Sequence, residues 1–342
     1  MRRLAVTALA LVLSASAVQA APAQRPEQTP GQNNVQTVLT PDSTLYAIEG
    51  TREQVSLELS RRRADTLDTL LVPGTDDEAM DSDARLLYDN ASSTLFVVWH
   101  KADAVQDSIV LASLDTEGVW SEPIVLASCS SMRRAGLQTV LTRASDVDSG
   151  AQGTLIHAAW WGVGSELTAE YALVAFEEGV HVSTDVSKLN EIAQGHKAEG
   201  ADEYEDTGAA LHPPLAIARG ESNAIDVVYG AANSTKVTRV RIDPRRVKGD
   251  ARLWKPVGRT SNRTPRSRMV TSDASAVQAF ISKGRVVLYR PDEKFRFVVF
   301  ENGAWSPERM IQLDENLSSE ELLRELRATV DELGATDEPA QQ

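Results

Sequence analysis

The side chains that could carry chemistry are scattered through this sequence, and the first of interest are two adjacent arginines. Arg133 and Arg134 follow the polar stretch SCSSM. A guanidinium presents a planar fork of donors that matches a carboxylate or another anion. Two interpretations stay open for the pair: a solvated loop, or contact with an anionic ligand such as an acidic glycan.

Three acidic segments could hold a divalent cation, because calcium prefers carboxylate oxygens. They are residues 75–83 (TDDEAMDSD), residues 145–150 (SDVDSG) and residues 196–206 (HKAEGADEYED). None has the spacing of a known calcium loop, so solvated charge runs are the simpler interpretation. The five histidines are isolated and show no zinc spacing. We predict no cofactor and no metal, with calcium kept as the alternative.

A basic strip stands out in an otherwise acidic chain. Residues 239–268 hold eleven Lys or Arg against two Asp, and the strip is defined here by Arg239, Arg241, Arg245 and Arg246. One interpretation is an outer strand pair whose alternating basic side chains face water and complement acidic loops. The other is a surface for an anionic partner, such as a polysaccharide or an acidic protein. Stacking aromatics are nearly absent there, which argues against single-stranded nucleic acid.

The familiar catalytic motifs are missing. The sequence contains no nucleophile elbow, phosphate loop, dinucleotide fingerprint or HExxH motif. The one cysteine, Cys129, has no second cysteine to pair with, so the fold does not rest on intramolecular disulfides. We interpret it as a small buried or half-buried side chain rather than a catalytic thiol.

The two ends of the chain predict export and local disorder. Residues 1–20 combine two arginines, an apolar run and a small-residue cleavage site, which is the pattern of a secretory signal peptide. We therefore expect a soluble periplasmic or secreted protein with no transmembrane segment. Residues 21–36 and 334–342 carry almost no large apolar side chains and are expected to be disordered. The net charge of −14 argues against nucleic acid or an anionic membrane as main partner.

Between these ends the chain alternates short apolar runs with turn residues. Runs such as TLFVVWHK, SIVLASL and YALVAFEEG contain four to eight residues rich in Val, Ile and aromatics. Such runs between Gly, Asp, Asn and Ser predict β-strands and an all-β fold. One helix is predicted at residues 317–333, where Ser318 and Glu321 form a capping box and Leu322, Leu326 and Val330 share one face.

An internal repeat specifies the architecture. An aromatic residue closes a strongly apolar strand at intervals of 53 to 69 residues, at Tyr46, Trp99, Trp160, Tyr229 and Tyr289. A turn with Trp followed by Pro comes after several of these strands, at Trp120, Trp254 and Trp305. The unit predicts a four-stranded blade, and blades must stack radially to bury both faces. We predict a β-propeller over residues 37–314 with about five blades, six being the alternative.

The turn SLDTEGVW, residues 113–120, resembles a degenerate Asp-box of the sialidase-like β-propellers. Ser113, Asp115 and Trp120 match the S-x-D-x-G-x-T-W spacing, while Gly118 comes one place late and Val119 replaces Thr. The Ser and Asp of such a turn bond its backbone, the Gly supplies a positive φ, and the Trp packs between blades. The resemblance implies a propeller fold, with these turns away from the active face.

A propeller implies candidate ligand residues at one end of its channel, where the first strand of each blade begins and the second ends. These candidates are His100, Trp161, Arg290, Arg133, Arg134 and His212. Trp160 and Trp161 should face opposite sides of one strand, so one packs between blades while the other is either a sugar-stacking platform or inter-blade filler. The early F/Y-R-I-P arginine motif of sialidases is absent; YRP occurs only at residues 289–291.

Three functional hypotheses follow. The first is an exported, non-catalytic binding or scaffold module for a glycan or protein at the channel mouth. The second is a sialidase-like glycoside hydrolase with a divergent active site, which needs two carboxyl groups roughly 5 to 10 Å apart. The third is an assembly protein that uses the basic strip. The sequence leaves the ligand and the oligomeric state open.

Overall fold

The computed structural model describes residues 34–50, 56–77, 79–103, 106–129, 133–145, 152–163, 167–194, 215–219, 224–230, 237–247, 250–263, 278–282, 285–290, 296–301, 304–307, 309–311 and 319–335. The predicted signal peptide, most of the leader and most of the tail lie outside these residues. Within the described ranges no helix has the length and apolar character needed to cross a membrane.

Five antiparallel sheets account for the strands of the described residues, and each is called a blade. Blade 1 contains β1 (Asn34–Leu39), β2 (Thr44–Gly50), β3 (Glu58–Arg63) and β4 (Thr66–Leu71). Blade 2 contains β5 (Met80–Asp89), β6 (Thr94–Ala102), β7 (Asp107–Leu114) and β8 (Ile124–Cys129). Blade 3 contains β9 (Arg133–Ser145), β10 (Gln152–Val163), β11 (Leu167–Glu177) and β12 (Val180–Lys188).

The last two blades follow the same pattern. Blade 4 contains β13 (Leu215–Arg219), β14 (Ile225–Gly230), β15 (Val237–Val247) and β16 (Asp250–Arg263). Blade 5 contains β17 (Gln278–Ser282), β18 (Arg285–Arg290), β19 (Arg296–Glu301), and two short strands that both pair with β19, β20 (Ala304–Trp305) and β21 (Arg309–Met310). In every blade the strands follow one another in chain order.

The blades stack through their first strands. β1 contacts β5, β5 contacts β9, β9 contacts β13, and β13 contacts β17. Outer strands of neighbouring blades also meet, β8 with β12 and β12 with β16. This arrangement of meandering four-stranded sheets is a five-bladed β-propeller, which confirms the fold predicted from the sequence.

The second strand of each blade carries the repeating aromatic residue. Tyr46, Trp99, Trp160, Tyr229 and Tyr289 lie on β2, β6, β10, β14 and β18. A strand covered on both faces by neighbouring blades must be apolar on both faces, and this explains the continuous apolar runs. Separate apolar clusters fill the spaces between blades 1 and 2, 2 and 3, 3 and 4, and 4 and 5.

Two helices accompany the blades in the part of the chain that the structure describes. α1 (Leu189–Gln194) follows β12 and packs against blades 3 and 4. The sequence analysis did not predict this short helix, because six residues are too few for helical periodicity to be visible. α2 (Ser319–Ala335) packs its buried Leu326 and Val330 against Phe280, Tyr289 and neighbouring apolar residues of blade 5. This contact covers a face of blade 5 that the blade 4 interface does not use.

Two local features differ from the sequence expectations. β1 begins at Asn34, three residues before the predicted start of the propeller domain. Trp254 does not lie in a turn as predicted; it lies within β16, paired with Arg246 and only 3% exposed. The reason is that β15 and β16 form a long pair with two register shifts, so the strand continues through the segment that contains Trp254.

Candidate functional site

One end of the propeller gathers most of the predicted ligand residues, and it is called the entry end. It is the end at which the first strand of each blade begins and the second strand finishes. Arg133 and Arg134 open β9, His100 and Trp161 lie near the ends of β6 and β10, and Arg290 ends β18. His212 lies outside the described residues, and of the side chains of Arg133, Arg134 and Arg290 nothing is described.

Blade 2 carries a continuous chain of hydrogen bonds at the entry end. Ser82 on β5 is paired directly with His100 on β6, and the Ser82 Oγ lies 3.0 Å from His100 Nδ1. His100 Nε2 bonds the carboxylate of Asp107 on β7. The side chains of His100 and Asp107 are 13% and 11% exposed, while Ser82 is half-buried. Three adjacent strands thus hold a serine, a histidine and an aspartate in one line.

Charged groups surround this chain. Lys101, the next residue of β6, donates from Nζ to the Gly74 carbonyl at 2.6 Å and also bonds the Asp77 carboxylate. The hydrogen bond from Lys101 holds the pKa of Asp77 below its usual value. On the opposite face of β5, the buried Asp81 accepts a hydrogen bond from Trp99 Nε1 at 2.9 Å. Burial raises the pKa of Asp81 to about 6, against the opposing charge of Lys101.

A β-bulge on β5 lies directly after Ser82 and affects the register in which β5 pairs with β6. The register passes from Ser82↔His100 to Arg85↔Val98, so two residues of β5 face the single Trp99. Asp83, within the bulge, has a left-handed φ of 51°. The buried Arg85 then donates from Nε to the Leu137 carbonyl on β9 at 2.9 Å. The bulge is therefore anchored to the neighbouring blade.

Blade 3 contains a matching bulge with different side chains. The register of β9 and β10 passes from Ala135↔Trp161 to Gln138↔Ala159, and Gly136 has a left-handed φ of 67°. By register, Ala135, Trp161 and Leu167 of blade 3 occupy the positions that Ser82, His100 and Asp107 hold in blade 2. The repeat therefore keeps the bulge but not the polar side chains.

Trp160 and Trp161 both fill inter-blade space. Trp160 packs in the cluster between blades 2 and 3, and its Nε1 donates to the buried Glu170 at 2.5 Å. Trp161 is 3% exposed, and its ring meets Tyr229 of blade 4 edge-on at 6.4 Å between centroids. The burial of Trp161 favours the filler interpretation over an exposed sugar-stacking platform.

The basic strip is largely engaged within blade 4. Arg239 and Arg241 both donate hydrogen bonds to the fully buried Asp226 of β14, with Nη2 to Oδ2 distances of 2.9 and 3.1 Å. Arg245, 57% exposed, bonds Asp243 at 3.0 Å. Nothing is described of the Arg246 side chain. Charge compensation by Asp226 inside the sheet explains Arg239 and Arg241, whereas the sequence interpretation placed the strip facing water and opposite acidic loops.

The turn of residues 113–120 lies at the opposite end of blade 2. Asp115 Oδ1 accepts from the backbone N–H of Glu117 at 2.9 Å and of Val119 at 2.8 Å, and Gly118 has a φ of 82°. Trp120 packs against the cluster between blades 1 and 2. Asp115, Gly118 and Trp120 have the contacts expected of them from the sequence, whereas the bonds described for Ser113 are made by its backbone N–H and carbonyl.

A serine after the tryptophan is a repeated feature that the sequence analysis missed. Ser121 Oγ accepts from the Ser113 N–H at 2.9 Å, and the Ser121 N–H donates back to the Ser113 carbonyl at 2.8 Å. Ser306 makes the same pair of bonds with Val299, at 3.0 and 2.8 Å. The shared letters W-S in VWSEP and AWSP were the available signal.

Sequence reasoning also missed Ser82 and Asp107. They lie 18 and 7 positions from His100 along the chain, and only the strand register brings them together.

Of the acidic segments, residues 196–206 and all but Ser145 of residues 145–150 lie outside the described residues. Among described residues, no group of three His, Cys, Asp or Glu could hold a metal ion.

Comparisons with known proteins assign no family. No protein-family model and no curated protein matches the chain. Among solved structures, an exo-β-1,3-galactanase from Phanerochaete chrysosporium with galactose has a TM-score of 0.34 and 7% identity, over 81% of this chain and 62% of that one. A variant of that enzyme with β-1,3-galactotriose has a TM-score of 0.35 at 7% identity. Likeness at this level assigns no activity to the present chain.

Proposed function

We propose that this chain is an exported binding propeller that recognises a glycan at the entry end, beside blades 2 and 3. One observation carries the proposal: Ser82, His100 and Lys101 on β5 and β6, with Asp77 on the segment before β5, form an array of donors and acceptors where Arg133 and Arg134 begin β9. Sugar hydroxyls and carboxylates need convergent polar groups whose positions are fixed before binding.

Three further parts of the proposal rest on the sequence. The pattern of residues 1–20 supports export to the periplasm or beyond. The bonding of Asp115 and the left-handed Gly118 support kinship of the turn with the Asp-box of sialidase-like propellers. A protein ligand is the competing occupant of the entry end.

The glycoside hydrolase hypothesis finds less support in the described carboxylates. Asp81 is fully buried against Trp99, and Asp107 bonds His100. Asp77 and Asp83, with side chains 52% and 35% exposed, form ion pairs with Lys101 and Arg85, whereas a glycosidase needs two carboxyl groups that act on the substrate. Recognition of the sugar, rather than cleavage of its glycosidic bond, is the function that this geometry favours.

A thermal-shift screen of the mature chain, residues 21–342, against acidic and neutral glycans tests the proposal. A ligand at about 100 times its Kd stabilises the fold by about 2.7 kcal/mol. We expect a shift that Lys101→Met and Arg133→Ala abolish and that Lys255→Met, on the exposed outer strand of blade 4, retains. A shift that survives both entry-end substitutions, or no shift with any glycan, would contradict the proposal.

A further inference from the structure

The hydrogen-bond chain of blade 2 runs from a serine to a histidine to an aspartate, the order in which an enzyme activates a serine nucleophile. Asp107 engages Nε2 of His100, which places the ring proton on that nitrogen and leaves the Nδ1 lone pair directed at the Ser82 hydroxyl, 3.0 Å away. A serine that donates to a neutral imidazole, itself oriented by a carboxylate, is the arrangement used for acyl transfer. We propose that Ser82, His100 and Asp107 form an ester-hydrolysing centre, with Ser82 as nucleophile and His100 as general base.

The fold itself does not require these side chains. In blade 3 the same bulge and the same strand register carry Ala135, Trp161 and Leu167 at the equivalent positions. A blade of this protein is therefore built without any polar group there. The serine, the histidine and the aspartate occur together in blade 2, at the entry end.

The residue after Ser82 has a left-handed backbone conformation. Asp83, the next residue, takes a φ of 51°, whereas blade 3 uses Gly136 at a φ of 67°. Glycine adopts this region freely, and aspartate is one of the few other residues that tolerate it. The amides of Asp83 and Ala84 lie outside the β5–β6 register and are the donors nearest along the chain to an oxyanion at Ser82.

Burial suits the assigned roles. The base and the positioning carboxylate are shielded, at 13% and 11% side-chain exposure, while Ser82 keeps part of its surface open. Asp107 acts only through His100 and is a positioning residue. The inference goes beyond ligand recognition and does not depend on it, because a small ester can test the centre without any glycan.

Water is the only reagent that the reaction needs besides the ester. The Ser82 oxygen bonds the ester carbonyl carbon as its proton passes to His100 Nδ1. The ester C–O bond then breaks, and the alcohol leaves with that proton. Water attacks the acyl-serine through the same base, which releases the carboxylic acid and restores Ser82.

The experiment treats the mature chain with a fluorophosphonate probe and maps the modified peptide by mass spectrometry. We expect labelling at Ser82, and hydrolysis of p-nitrophenyl acetate at least about 100-fold faster than in Ser82→Ala. Ser82→Ala reproduces Ala135 of blade 3 and should fold, as its melting temperature will report. Ser108→Ala, a buried serine beside Asp107 on β7, is the matched control and should keep full activity.

Asp107→Asn tests the positioning role. We expect kcat for p-nitrophenyl acetate to fall while KM stays unchanged, since the substitution removes orientation of the base and not a substrate contact. Labelling at another serine, absence of labelling in the wild-type chain, or equal hydrolysis by the wild-type chain and Ser82→Ala would overturn the proposal.

Discussion

His157 is expected to make the fold acid-sensitive. It lies fully buried in the middle of β10, between two hydroxyls of the same blade: Nδ1 is 2.6 Å from the Tyr171 OH and Nε2 is 2.8 Å from Thr142 Oγ1. A neutral imidazole satisfies both neighbours by donating to one and accepting from the other. Burial lowers the pKa of His157 to about 3.

The sign of the pH effect follows from this lowered pKa. The unfolded chain takes up the proton near the ordinary histidine value of 6.5, while the folded chain resists it until about 3. Stability from this residue is therefore complete at neutral pH and is lost as the pH falls below about 6.5. Between about pH 8 and pH 5 the loss amounts to about 2 kcal/mol.

Urea unfolding of the wild-type chain and of His157→Gln, each at pH 8 and pH 5, measures this loss. The wild-type chain should lose about 2 kcal/mol more than the variant between the two conditions. Carboxylates with shifted pKa values, such as Asp81 and Asp89, are common to both chains and cancel in the difference. Equal losses in the two chains, or an NMR resonance of the His157 ring that titrates between pH 7 and 5, would refute the reasoning.

Three more substitutions should change stability in defined directions. Asp81→Asn removes a charge that burial disfavours, so it should stabilise the fold at pH 8 by up to about 3 kcal/mol. Below pH 3.8 the wild-type carboxyl is already protonated, so the substitution should bring no gain there. Asp115→Ala removes two turn hydrogen bonds and should cost about 1 to 2 kcal/mol. Leu326→Ala, at a fully buried position of α2, should cost about 2 to 5 kcal/mol by leaving a cavity against blade 5.

Urea unfolding curves also check these three substitutions, each with its own control. A gain for Asp81→Asn that is the same at pH 8 and pH 3 would mean that charge burial is not its cause. Glu117→Ala, in the same turn as Asp115, should be close to neutral; if it costs as much as Asp115→Ala, the carboxylate bonds are not what stabilises the turn. Glu325→Ala, exposed on α2, should likewise leave stability unchanged, and an unaffected Leu326→Ala would deny that the helix docks on blade 5.

The blade pattern could be predicted from the sequence because burial on both faces forces a recognisable composition. The second strands of blades 2, 3 and 4 pack between two neighbouring blades, and that of blade 5 packs between blade 4 and α2. The apolar run and its closing aromatic residue therefore recur, and this repeat predicted both the type of sheet and the position of the strand within the blade. The hydrogen bonds of Asp115 within its turn could also be predicted, because they join residues that lie within five positions of one another in the chain.

The side chains that meet across strands could not be predicted in this way. Whether Ser82 faces His100 depends on the register, and the bulge at Asp83 shifts that register by one residue. The pairing of Arg239 and Arg241 with Asp226 is hidden for the same reason, because the carboxylate belongs to another strand. An alignment of blade 2 with blade 3 would have exposed Ser82 against Ala135 as the signal.

Hydrogen exchange of the mature chain with and without the glycans of the screen tests most directly whether the entry end of blade 2 is the functional site. We predict slower amide exchange in peptides covering residues 77–84 and 99–108, with no change in residues 113–121 at the opposite end. Slower exchange confined to residues 113–121 or to the outer strands of blade 4 would contradict this placement of the site.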